Sequence, residues 1–142
     1  MTKVCTAIKF IFASVGSVLS YYIGGMDGFL YALIALVTVD YITGVMNAVV
    51  HKKLSSAVGF RGIFYKVLIF ALVGVGNVLD VHIIKQGAFL RTAVIFYYIA
   101  NEGISILENA SGIGLPIPKK LADVLIQLKE SEDTDNGNSE PK

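Results

Sequence analysis

Charge is scarce in this sequence, and cysteine, proline and tryptophan are scarcer. Only 16% of the 142 residues are charged, where a soluble domain carries about a quarter, so there is too little charge to cover a water-facing surface. The single cysteine, Cys5, excludes an intrachain disulfide and any multi-cysteine metal centre. The two histidines, His51 and His82, stand apart, with no HExxH spacing and no carboxylate or cysteine cluster beside them, so neither is read as a metal ligand. Gly74 and Gly76 lie in an apolar run that no G-K-[ST] follows, which removes the phosphate-loop reading. A net charge of +1 without a concentrated basic face argues against a nucleic-acid partner. No nucleophile and base stand in a recognisable constellation, so the chain is not expected to be an enzyme or to hold a cofactor or metal.

Apolar residues dominate instead. They make up 54% of the chain and gather into blocks rather than into one stripe per helix, the pattern of segments whose solvent is lipid. Four blocks are predicted as transmembrane helices: 8–23, 29–50, 63–81 and 89–107. The first is short and has Lys9 at its edge; a cleaved signal peptide is the alternative, but no A-x-A-like site follows it. The second, with Asp40 as its one charge, is the firmest. The third carries Lys66 and Asp80, the fourth Arg91 and Glu102. The fold class is therefore an all-α integral membrane protein of three or four transmembrane helices, with residues 1–110 as the membrane domain. In the three-span form the first block is peripheral.

Short polar connections at 24–28, 51–62 and 82–88 make successive spans antiparallel. Lys52, Lys53 and Arg61 lie in the middle loop, and Lys119, Lys120 and Lys129 follow the fourth block, as Lys3 and Lys9 precede the first. The positive-inside rule puts these ends, and the C-terminus, in the cytoplasm. Within 111–130 a Gly/Pro turn precedes a second kind of helix. Leu121, Val124, Leu125 and Leu128 recur at i, i+3, i+4 and i+7, which predicts a cytosolic amphipathic helix lying on the membrane or on a partner. Residues 131–142 contain no large apolar side chain and are expected to be disordered.

Polar groups in hydrocarbon are costly enough to be presumed useful. Asp40, Thr43, Gly44 and Asn47 share one face of the second block, with Asp40 near mid-bilayer. Either this face lines an aqueous pathway or an oligomer contact, or it is a structural helix contact. Asn77, Tyr98 and Glu102 join it as candidate pore or oligomer positions, Ser105 and Asn109 continuing the face of Glu102. Two intramembrane ion pairs are predicted across the third and fourth blocks: Lys66 with Glu102, and Asp80 with Arg91. Lys66 and Arg91 snorkelling to headgroups is the alternative. Ala13, Gly16, Ser17 and Ser20 form a small-residue face suited to close helix packing.

Four strings carry a family likeness: DYITG at 40–44, KKLSSAVGFRGI at 52–63, RTAVIFYYIANEGISILENA at 91–110 and GLPIPKKL at 114–121. In this order and spacing, over roughly 25–130, the chain resembles the toxin-secretion/phage-lysis holin family. The resemblance implies a protein that oligomerises in the bacterial cytoplasmic membrane. There it opens lesions that release an endolysin or a large toxin, and no catalytic residues are involved. A small ion or metabolite channel or transporter is the main alternative from the residues alone. A non-permeabilising antiholin or adaptor is the third.

Overall fold

The computed structural model describes residues 1–136 and is helical between short connections. Five helices follow in order: α1 (Thr2–Ile23), α2 (Gly28–Val50), α3 (Ser56–Leu79), α4 (Phe89–Ile113) and α5 (Lys119–Asn136). A π-helical turn, Asp80–Ile84, extends α3. No strand is present among the described residues.

Each boundary has a local cause. Asp27 Oδ1 accepts from the Leu30 N–H at 2.8 Å and caps α2, and Ser55 Oγ caps α3 through the Val58 N–H at 3.2 Å. These are the short oxygen acceptors that satisfy a helix's free first-turn donors. Gly24 and Gly114, at φ +94° and +105°, end α1 and α4 in the left-handed conformation that glycine takes without a Cβ penalty. Pro116 and Pro118 then keep the chain from continuing α4.

Three helices are long and apolar enough to cross a membrane: α1, α2, and α3 through to Ile84. At 23 residues α2 spans about 35 Å. The exception is α4, the fourth predicted span, which is 25 residues long but carries Arg91, Glu102 and Glu108. The three-span alternative drawn from the sequence set aside the first block instead; apolarity retains α1. The chain places α4 where its charge is tolerable, at the centre. It packs along α2 and, on its other side, against α3, while α2 and α3 scarcely touch each other.

One apolar layer joins these three helices. Leu30, Leu33 and Val37 of α2 meet Ile69 and Val73 of α3 and Ile95 of α4, all buried. Outside that layer large apolar side chains face outward along every span, among them Phe12, Tyr31, Phe64 and Leu68, each more than 60% exposed. A surface of this kind would aggregate in water and is matched by hydrocarbon. α3 and α4 approach closely at Gly76, where an added Cβ would stand 3.1 Å from the backbone N and Cα of Arg91. Gly76→Val is therefore expected to push the start of α4 away and to cost about 1–3 kcal/mol, measured as a lowered thermal midpoint of the detergent-solubilised protein.

α1 buries none of its residues and packs mainly against α3, its last residue, Ile23, also meeting the apolar layer and Arg91 of α4. The small-residue face at Ala13, Gly16, Ser17 and Ser20 is not packed by its own chain: nothing lies within 4 Å of a Cβ built on Gly16. α1 diverges from α3, so the face borders a wedge of about 940 Å³. α5 follows the turn after α4. Ala122 and Ile126 line a cavity of about 500 Å³ against Ile104 and Leu107, and Leu121 and Val124 turn outward. The side chains of Leu125 and Leu128 lie outside the described residues. Helix α5 continues to Asn136, into the segment expected to be disordered, and the rest of that segment is likewise outside the description.

Candidate functional site

α2 and α4 run parallel and in register, which sets two polar clusters at different depths. At the end where both helices start, Asp27 meets Arg91. Further along, Asp40 and Thr43 meet Asn109, and Asn47 meets Gly112.

The deeper cluster is an ion triad. Lys66 Nζ lies between carboxylate oxygens of Asp40 and Glu102 and donates to both, one group from each of α3, α2 and α4. Asp40 and Glu102 are near the middle of their helices, so the triad sits at mid-depth rather than at a span end, because α3 begins at Ser56, well before the predicted 63. The side chains of Glu102 and Asp40 are 2% and 8% exposed and that of Lys66 14%. Asn109 Nδ2 donates to Asp40 Oδ1 and to Thr43 Oγ1, each at 3.1 Å, which holds the Asp40 carboxylate from the side away from Lys66. Asp40, Thr43, Gly44 and Asn47 thus face α4 of their own chain. Asn47 Oδ1 is buried there without a hydrogen-bond partner among the described residues. Tyr98 is half-buried at the edge of the apolar layer, edge-on to Tyr97. Asn77 points elsewhere, donating through Nδ2 to Tyr22 O at 3.0 Å.

The second cluster sits where α1 turns into α2. Asp80 and Arg91 do not form the predicted side-chain pair. The Asp80 carboxylate, 1% exposed, accepts the backbone N–H groups of Leu90 and Arg91 at 3.0 and 2.8 Å and so caps α4. Those first-turn donors lack partners of their own and point at an anion, so they take the carboxylate and leave the guanidinium to others. Arg91 donates from Nε to Ile23 O at 2.6 Å, from Nη2 to Gly25 O at 2.9 Å and from Nη1 to Asp27 Oδ2 at 2.6 Å. The guanidinium fork thereby fastens the C-terminal end of α1 and the first residue before α2 to α4. Sequence reading missed Asp27 as its partner; the signal available was a lone acid in the connection between the first two blocks.

Asp27 lies outside the spans. The Arg91 hydrogen bond, then that from the Leu30 N–H, holds its carboxyl below the ordinary value. A lowered folded value stabilises above the unfolded one and is lost as pH falls through the lowered one. The difference in thermal midpoint between the protein and Asp27→Asn is thus expected to stay flat from about pH 8 to 5 and to shrink below about pH 4.

Buried ion clusters on helices whose outer faces are apolar define the class: a multi-pass helical membrane protein. The particular family follows from comparison with known proteins. The bacteriophage holin family model matches residues 17–130, and the chain belongs to that family. It is 37% identical over 112 residues to a probable holin of Bacillus phage phi105, covering 79% of this chain and 82% of that one. It is also 38% identical over 133 residues to an uncharacterized 14.9 kDa protein in the nagH 3' region of Clostridium perfringens, 93% of this chain and 100% of the relative. An uncharacterized Bacillus subtilis protein, YqxH, is 34% identical over 120 residues, 84% of each chain. No solved structure matches.

Proposed function

We propose that this protein is a holin of the bacterial cytoplasmic membrane, non-enzymatic, which associates with copies of itself and opens lesions that release an endolysin or a large toxin from the cytosol. The observation that carries the reading is the family match over residues 17–130 on a bundle whose helices are apolar outside and ionic at mid-depth. α4 crosses with α2, since the two stay in register from Asp27 and Arg91 to Asn47 and Gly112. The α2–α3 loop with Lys52 and Lys53, and the α4–α5 turn followed by Lys119 and Lys120, then share the cytoplasmic side. α5 lies there, with Leu121 and Val124 against the headgroups.

Lesions large enough for a folded enzyme separate this reading from a small ion channel, which the intramembrane carboxylates alone would also support. Expression beside a cytosolic endolysin lacking a secretion signal is expected to lyse the culture abruptly. Liposomes carrying the purified protein are expected to lose an entrapped folded protein. Leakage of ions alone indicates the channel, and an intact culture indicates an antiholin or adaptor. Asp40→Leu leaves Lys66 with Glu102 as a one-to-one pair, so the protein is expected to accumulate normally while the onset of lysis shifts; unchanged onset excludes Asp40 from the trigger.

A further inference from the structure

The triad stands at the blind end of a cleft. Between Lys66 and the loop that joins them, α2 and α3 meet through Tyr41, whose ring lies against Gly59 and Gly62, and beside it a space of about 490 Å³ opens with α4 as its floor. The floor is polar: Asn101, Ser105 and Asn109 of α4 lead inward to Glu102, and Arg61 stands on the α3 wall. Beyond the triad the character reverses. Leu33, Val73 and Ile95 are 0% exposed, and the three helices close on one another.

Hydrocarbon cannot satisfy a floor of amides, a hydroxyl and carboxylates, and polar groups at membrane depth are tolerated where they meet protein or water. The walls are largely apolar, Val45, Leu54 and Val58 among them, but the space is roomy enough for several waters and the floor supplies the polar partners they need. We propose that it is a water-filled vestibule, open at the Lys52–Lys53 end and closed at mid-depth by Lys66 held between Asp40 and Glu102. Small hydrophilic solutes enter it from that face and stop at the triad. The inference rests on the reading that α2, α3 and α4 cross the bilayer. It deepens the lesion reading by locating where each protomer already admits water across half the membrane.

The test uses Cys5→Ser protein in membranes collected before lysis, with single cysteines at Ser105, at Val73 in the dry layer and at Phe64 on the outward face of α3. A small, charged, membrane-impermeant thiol reagent is applied separately to each side. Because the thiolate is the reacting species and needs water, Ser105→Cys is expected to react at least about ten-fold faster than Val73→Cys or Phe64→Cys, and only from the Lys52–Lys53 side. Reaction as slow as at Val73, or from the opposite side, overturns the vestibule. Asn101→Cys repeats the measurement if the Ser105 variant fails to accumulate. Lysis timing in the same strains reads the lesion proposal independently: an unreactive variant that still lyses cells removes the vestibule alone, and a reactive one that never lyses them removes the lesion alone.

Discussion

Lys66→Met is expected to deplete the protein from the membrane, and to do so far more severely than either Asp40→Asn or Glu102→Gln. The reason is the stoichiometry of the triad. One ammonium answers two carboxylates whose side chains are 8% and 2% exposed, so its loss leaves both without a cation and with too little solvent contact to replace it. Removing the partner of a buried charge costs about 3–5 kcal/mol, a large share of the roughly 5–15 kcal/mol that holds a typical fold. Asp40→Asn instead leaves a neutral pair and keeps an oxygen for Asn109. The triple variant Asp40→Asn, Lys66→Met, Glu102→Gln has no charge left to strand and is expected to regain most of the lost protein, since exchanging a whole buried ion cluster for neutral groups is often nearly neutral. Membrane abundance by quantitative blotting and thermal midpoints in detergent measure all four. Should Lys66→Met match the parent while the triple variant falls, the three groups are not held together by charge.

Much of this arrangement is legible in the sequence because the bilayer acts as a strong filter. A block such as 29–50, with Asp40 as its only charge, has few alternatives to a spanning helix, and the caps at Asp27 and Ser55 are of standard residue types. What remained hidden is the partnership between helices that are not neighbours along the chain. Depth matching of 63–81 with 89–107 uses a hairpin, so it brings Lys66 level with Glu102. The parallel packing of α2 on α4 skips over α3, and nothing local announces it, so Asp40 stayed unassigned as the second acceptor. Depth matching also sets Asp80 level with Arg91, but depth does not choose their partners: a helix start offers a carboxylate two aligned N–H donors, and a helix end offers a guanidinium two free carbonyls.

The central place of α4 follows from these preferences. It is the least apolar of the four long helices up to Ile113, and it is the one wrapped by two others, so that each of its buried charges finds a partner on α2, on α3 or on the connection between α1 and α2. α1 is the converse case: with its only charges, Lys3 and Lys9, in its first half, it needs little shelter from lipid, and it makes its specific contacts only near its end. Tyr22 Oη donates to Ala71 O at 2.9 Å, Asn77 holds Tyr22 O, and Arg91 takes Ile23 O and Gly25 O.

Arg91→Leu is accordingly expected to undock α1 while leaving α2, α3 and α4 assembled. The substitution removes three hydrogen bonds from a charged donor, one of them to the partly exposed Asp27 carboxylate. Bonds to a charged group contribute about 1.5–3 kcal/mol each when buried and less at the rim, so a local loss of about 2–4 kcal/mol is reasonable. The Gly24 and Gly25 amides, which donate to Ser20 O at 3.1 and 2.8 Å, report on it directly: a loss of 2 kcal/mol raises their exchange with solvent deuterium by about thirty-fold if exchange follows local opening. Amides around Ile69 and Ile95 are expected to keep their protection, because the apolar layer does not involve Arg91. Arg91→Lys is expected to fall nearer to the leucine variant than to the parent, since a single ammonium on a flexible stem lacks the planar fork that reaches two carbonyls and a carboxylate at once. Exchange at Gly24 and Gly25 that stays at the parental rate in Arg91→Leu shows that α1 is held by its apolar contacts with α3 and not by the clamp.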